Sequence, residues 1–256
     1  MGESSILEST QPETESYEKP FRIETIDAAE TAPVLERLEA EDATLESVEI
    51  LGPEEFKKGR SFKIQKRRRE WLAARLAAKR LLNWRLQQEG IYLKPSQIQI
   101  LNKENGAPSV VLEGGKIYDR CMISISHSRG TGVAAIAPPD CLIGVDLEAI
   151  EPRASSFLTI MAHDDEWSNA MDSDLTEQTR LWTLKEAVAK LLETGFTIGF
   201  HDVRFPLHGD ERRLELHNKA AAAFERINSP VIHFDSFVQN DEVLSIAYTA
   251  GEPAHA

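Results

Sequence analysis

Apolar residues recur along this chain at two spacings, and the switches between them mark out a mixed helix and strand protein. Phe21–Ile26 alternates imperfectly and reads as a first strand. Ala28–Leu45, with Val34, Leu35 and Leu38 among acids, suits an amphipathic helix. Val48–Leu51 is short, β-branched and closed by Gly52-Pro53, as expected of a strand or an extended link. From Gln65 to Gln88, Trp71, Leu72, Leu76, Ala77, Leu81 and Leu82 fall at near-helical spacing, and Gly90 closes the run. Strands are then expected around Ile98–Leu101, Val110–Leu112, Met122–Ser126 and Gly132–Ala137, with turns at Asn105-Gly106-Ala107-Pro108 and His127-Ser128-Arg129-Gly130.

Pro138-Pro139-Asp140 punctuates the chain. Beyond it, Cys141–Leu147 is β-rich and Asp174–Leu192 a long helix, followed by strand candidates at Val203–Leu207, Leu214–Leu216, Val231–Phe237 and Val243–Tyr248. The halves repeat an order: long helix, strands and turns, then a hydrophobic strand pair (Ser124–Ala137 and Phe234–Thr249). Helices with antiparallel strands and no strict β-α-β alternation give an α+β class. The expected division is a disordered acidic tail at 1–20, one lobe at 21–140 and a second at 141–256.

Composition changes this picture little. No apolar run approaches the ~20 residues of a membrane helix, and the N-terminus lacks a secretory signal pattern, so a cytoplasmic protein is the expectation. Two cysteines, Cys121 and Cys141, make neither a disulfide framework nor a zinc site. Charge is more informative. Of 29 basic and 42 acidic residues, 3 and 16 lie in residues 1–55, leaving 26 of each beyond. The net charge of −13 therefore belongs to the N-terminal fifth. Directly after it stand Lys57, Lys58, Arg60, Lys63, Lys66, Arg67, Arg68 and Arg69 with no acid among them. They form either a polyanion-facing patch or a solvated helix start balanced by the acidic arm.

Three stretches carry candidate chemistry. In Ile143-Gly-Val-Asp-Leu-Glu148, strand alternation puts Asp146 and Glu148 on one face, where a hard cation between them would relieve their repulsion. Gly144 is expected to leave room for a ligand beside them. In Trp182–Lys190, Leu181, Leu184, Val188, Leu191 and Leu192 form the core-facing stripe. Trp182, Glu186 and Lys190 lie opposite at i, i+4 and i+8, as an ion pair or as a functional face. Trp182 there implies a second interface, since a large aromatic on a solvated face is unusual. In Ser124–Gly130, a histidine flanked by hydroxyls after a short strand can hydrogen-bond a phosphate or serve only structure.

Taken together and in this order, SISHS, IGVDLE and WTLKEAVAK resemble the 4′-phosphopantetheinyl transferase superfamily, best its monomeric, two-lobed Sfp-type branch. The resemblance spans roughly Phe21 to Thr249. It implies two similar lobes related by pseudo-twofold symmetry with the active site at their interface. It also implies transfer of phosphopantetheine from coenzyme A to a serine of an apo acyl or peptidyl carrier protein. Metal ligands would be Asp146, Glu148 and Glu186, holding Mg²⁺ or Mn²⁺. Glu186 would be the base, Lys190 would act on the transferred phosphate, and Lys185 could contact the same phosphates. For coenzyme A, the resemblance points to Ser126 and His127 at the phosphates and Lys58 at the 3′-phosphate, with Lys57 and Arg60 as substitutes. Asn102, Gly106 and Pro108 would lie on the adenine side. The family commonly has Gly-Lys-Pro where this chain has Gly106-Ala107-Pro108, and Lys103 or a cation from 57–69 is the candidate replacement. A monomer without nucleic-acid or membrane partners follows. Two other readings remain at this level: a degenerate homologue serving as an interaction protein, and a basic-helix nucleic-acid-binding module.

Overall fold

The computed structural model describes residues 5–6, 19–154, 156–168, 173–194, 197–208 and 211–250. Most of the tail expected to be disordered, 1–20, lies outside them. The chain divides into two compact units, Phe21–Asp140 and a second from Cys141 onward that takes in the described residues before Phe21. Both mix helices with small antiparallel sheets, an α+β fold.

In the first unit, β1 (Arg22–Ile26) leads into α1 (Ala28–Glu39), whose N-cap Asp27 accepts from the Ala29 N–H. α1 stops at Glu39, six residues before the expected end, and a bend and turns stand over Val48–Ile50, where a strand or an extended link was expected. Two helices follow, α2 (Pro53–Ser61) and α3 (Gln65–Gln88). Four strands come next: β2 (Ile98–Asn102), β3 (Pro108–Leu112), β4 (Lys116–Tyr118) and β5 (Met122–Ser128). β6 (Thr131–Ala137) ends the unit. β6 is central in the sheet β1-β6-β5, and α3 lies across it. Small residues let them close up: Ala73, Ala74, Ala77 and Ala78 are fully buried, and a Cβ on Gly132 would sit 2.1 Å from the Ala74 nitrogen.

The second unit repeats that connectivity. An edge strand, β7 (Ile143–Ala149), precedes α4 (Ser156–Met161) and the long helix α5 (Leu175–Leu191). After α6 (Asn218–Arg226) comes a hairpin of β8 (Ile232–Gln239) and β9 (Glu242–Thr249), whose second strand inserts beside β7 in the order β8-β9-β7. Strand, long helix, then a hairpin with its second strand central is thus the plan of both units. Register is set by alternation: Val145 and Leu147 are buried in the pairs Val145↔Ile246 and Leu147↔Leu244, while Asp146 pairs with Ser245.

Each unit also buries one lysine–glutamate pair. Lys79 of α3 reaches Glu55 at 2.7 Å, and Lys185 of α5 reaches Glu166 at 2.7 Å. Both glutamates also accept backbone N–H groups, Gly52 and Ile100 for Glu55, His163 and Phe205 for Glu166. The pairs hold α3 to α2 and α5 to the loop at Glu166 through satisfied charges, the condition under which buried ions are tolerated.

Candidate active site

The acid strand and the Trp-Lys-Glu-Lys helix meet in the second unit. Asp174 caps α5 by accepting from the Glu177 N–H, and Leu181, Leu184, Val188 and Leu191 sink into the core. At Gly144 the helix backbone comes so close to β7 that a Cβ would lie 1.9 Å from the Ala187 carbonyl oxygen and 2.6 Å from the Leu191 nitrogen. The space expected to admit a ligand beside Gly144 is therefore filled by α5. What the glycine supplies is contact: it brings Glu186 and Lys190, next to those touching residues, down onto the strand.

Lys190 Nζ donates to the Val145 carbonyl at 3.0 Å and to Asp146 Oδ1 at 2.8 Å. Asp146 is only 4% exposed. One turn earlier, Glu186 has its proton affinity raised, first by burial and then by the charges of Asp146 and Glu148, with Lys190 opposing. Glu148 is partly exposed, with Arg153 Nη2 3.7 Å from its carboxylate. Arg153 also lies over the rings of Phe157, at 4.8 Å, and Trp182, at 5.8 Å. Trp182 itself packs against Phe157 and Phe200, so the second interface expected of it is internal to this unit. A cavity of about 150 Å³ opens beside Glu186 and Ala189, walled by Ile198, Phe200 and Val203. A larger one of about 900 Å³ shares Arg153 with the acid strand and reaches His163, Gln178 and His201.

Among the described residues, no three His, Cys, Asp or Glu side chains stand together as a ready metal cage. The donor chemistry nevertheless fits a hard divalent cation. Asp146, Glu148 and Glu186 offer only carboxylate oxygens, and the charges of Asp146 and Glu148 add to burial in raising the proton affinity of Glu186. Lys190 supplies a single positive charge against them.

Lys185 does not join this cluster. Its ammonium is 3% exposed and donates to Met161 O, Glu166 Oε2 and Phe200 O, which uses all three of its donors. The expectation that it contacts phosphates is corrected accordingly. The sign was present in the sequence: Lys185 falls four residues after Leu181, inside the apolar stripe. Arg153 and Glu166 were missed because neither lies in a motif.

The coenzyme-side candidates all lie in the first unit. Ser126 is buried and His127 half exposed at the end of β5, where His127 pairs with Gly132. Lys58 is exposed on α2 with its ammonium 5.1 Å from the Phe62 ring. Its proposed substitutes differ from it. Lys57 pairs with Glu54, and Arg60 is committed to the Leu38 and Ala40 carbonyls at 3.0 and 2.7 Å. Arg68 is likewise internal, donating to Gly59 O, Phe62 O and Glu39. The basic run is thus split between structural arginines and the exposed Lys58, Lys63, Lys66, Arg67 and Arg69. Asn102 and Pro108 face each other as a strand pair, and Gly106, at φ 88°, turns the hairpin between them. The Asn102 side chain accepts from Arg75 at 3.5 Å, a further contact the sequence did not indicate.

Residues 142–246 match the family model for the 4′-phosphopantetheinyl transferase superfamily. Among solved structures, the holo-ACP-synthase from Plasmodium yoelii is similar, with 14% identity and a TM-score of 0.36 over 44% of this chain and 95% of that one. No curated protein matches the chain. The matched segment runs from the acid strand β7 through α5 into β9 and holds IGVDLE and WTLKEAVAK, while SISHS, the third motif behind the resemblance, lies before it. The likeness to the 4′-phosphopantetheinyl transferase superfamily is thus found over residues 142–246, less than half of the chain.

Proposed function

We propose that this protein transfers 4′-phosphopantetheine from coenzyme A to a serine hydroxyl of an apo acyl or peptidyl carrier protein, releasing adenosine 3′,5′-bisphosphate. The observation that carries the reading is the Lys190 bridge to Asp146 and Val145, which couples the helix bearing Glu186 to the acid strand. A solvated i,i+4 pair would not need a lysine held by a buried aspartate. The same bridge argues against a degenerate homologue, because the charged machinery is assembled as well as retained.

In this reading Asp146, Glu148 and Glu186 would hold Mg²⁺ or Mn²⁺. Such an ion, when bound to the diphosphate, supplies charge neutralisation at the leaving phosphate. Glu186 takes the proton of the carrier serine, directly or through water, and its raised proton affinity moves it toward the range suited to a base near neutral pH. Lys190 stands one turn away to balance the phosphate being transferred. Ser126, His127 and Lys58 would bind coenzyme A phosphates, and Asn102, Gly106 and Pro108 its adenine side. The exposed cations of 57–69 add positive potential for the same polyanion or for an acidic carrier. The reading includes the two-lobed, pseudo-twofold Sfp-type arrangement, a monomer and a cytoplasmic setting. No helix among the described residues is long and apolar enough to cross a membrane.

Intact-mass analysis of several apo-carrier proteins incubated with the protein, coenzyme A and Mg²⁺ tests it. A gain of one phosphopantetheine that disappears with chelator is expected. Unmodified carriers, in samples that another transferase of this class does modify, would overturn the proposal.

A further inference from the structure

The two carboxylates of the acid strand each face a cation, and the two pairs are built differently. Strand alternation sets Asp146 and Glu148 on one face of β7, which ends at Ala149. Asp146, the more deeply buried, accepts a hydrogen bond from Lys190 at 2.8 Å. Glu148, 31% exposed, faces Arg153, which follows Pro152 on the way out of the strand. Arg153 Nη2 stands 3.7 Å from Glu148 Oε2, too far for a hydrogen bond. Its Nε and Nη2 are buried without a hydrogen-bond partner. Aromatic faces seat the guanidinium instead: it lies 4.8 Å from the Phe157 ring of α4 and 5.8 Å from the Trp182 ring of α5. Those rings pack on each other at 5.3 Å. Arg153 is thus fixed by packing, and its pull on Glu148 is charge alone.

A divalent cation shared by Asp146, Glu148 and Glu186 needs Glu148 to turn toward it, and among the described residues no three such side chains stand together as a cage. We propose that Arg153 is the positioning residue for Glu148: it draws this carboxylate to itself in the metal-free protein and yields it to a divalent cation, and so limits how tightly the ion is held. Yielding Glu148 breaks no hydrogen bond from Nε or Nη2. The guanidinium, still seated on the two rings, then stands as a like charge near the ion. The proposal rests on the transferase reading for the metal; the pairing of Arg153 with Glu148 does not.

The test uses the full chain. Arg153→Gln and Arg153→Met remove the charge with different packing on the rings, so loss of fold in one leaves the other; Arg153→Lys keeps the charge. Mn²⁺ binding at pH 7.5, without coenzyme A, is read from the electron paramagnetic resonance signal of the free ion. Each variant is measured with Glu148 intact and in the Glu148→Gln background. Mn²⁺ binds about fivefold more tightly in the two charge-free variants, the size of one partly exposed ion pair. Arg153→Lys stays near wild type, and the gain is absent once Glu148 is Gln. Unchanged or weaker binding in a folded charge-free variant contradicts the proposal, as does loss of fold in both, which makes the arginine structural. An equal gain in the Glu148→Gln background also overturns it, because Arg153 then repels the ion without acting through Glu148. A wild-type chain that binds no Mn²⁺ sinks the metal assignment of the transferase reading, and the role given to Arg153 falls with it.

Discussion

Gly144→Ala is the substitution that separates the geometry of the site from its chemistry, because it alters no charged group. The new Cβ would lie 1.9 Å from the Ala187 carbonyl oxygen, whereas ordinary contact begins at 3.4 Å. The opposing atom is helix backbone and cannot rotate away, so α5 must retreat from β7 by about 1.5 Å. Lys190 lies between the two touching residues Ala187 and Leu191, and such a retreat stretches its 2.8 Å bond to Asp146 out of hydrogen-bonding range. Overpacking of this kind costs roughly 1–3 kcal/mol, offset by at most about 1 kcal/mol from the stiffer unfolded chain. At about 2–4 °C per kcal/mol for a chain of this size, melting falls by only a few degrees. A misplacement of about 1 Å costs on the order of 100-fold in rate. Initial rates from intact-mass time courses, set beside thermal melts, are therefore expected to show a folded protein with turnover reduced about 100-fold. The comparator is Gly132→Ala, whose Cβ would lie 2.1 Å from the Ala74 nitrogen in the other unit. It should destabilise similarly but raise the KM for coenzyme A more than it lowers turnover. A folded Gly144→Ala protein with turnover within threefold of wild type would refute the argument that this contact positions Glu186 and Lys190.

Other consequences follow from single groups. Glu186→Gln should abolish transfer yet raise the melting temperature in chelator at neutral pH. The sign is set by its raised proton affinity: the folded state prefers the neutral acid, so ionisation costs stability as pH rises through the folded pKa. The melting gain should vanish as pH falls toward the ordinary value of 4.5; a gain that persists in acid would contradict the assignment. Lys190→Ala removes transfer and leaves Asp146 buried without its cation, at about 1–3 kcal/mol of stability after allowing for the partial exposure of the lysine; urea denaturation measures it. Lys185→Met strands Glu166 and should cost about 3–5 kcal/mol in the same experiment, with the KM for coenzyme A unchanged in whatever protein folds. A raised KM would return Lys185 to the phosphates. Lys58→Ala and Arg60→Ala should divide cleanly, the first weakening coenzyme A with melting unchanged, the second lowering melting through loss of two carbonyl contacts.

How much of this was legible differs from element to element. α3 runs from Gln65 to Gln88 as its periodicity foretold, and α5 differs by one residue at each end. α2 was missed because Gly52-Pro53 read as the close of a strand or extended link. Proline at the first helical position starts a helix, and Gly59 serves close packing, with its missing Cβ 2.9 Å from Leu38. α6 was also missed, although Ala220, Ala223 and Phe224 form its buried face at helical spacing.

What the sequence alone determined is what neighbours within a turn or a strand can decide: the long helices, the hairpins, the shared face of Asp146 and Glu148, and the one-turn spacing of Glu186 and Lys190. Tertiary structure decided which charges meet. Lys190 and Asp146 are 44 residues apart, Lys185 and Glu166 19, Glu70 and His127 57. Periodicity carries no information about such partners, because it records only how each segment presents its own face. Two glycines made the difference physical. Lacking side chains, Gly132 and Gly144 let helix backbone rest on strand, and so chose which turn of each helix came to lie against which residue. That contact converted Gly144 from an expected ligand space into the reason Lys190 reaches Asp146.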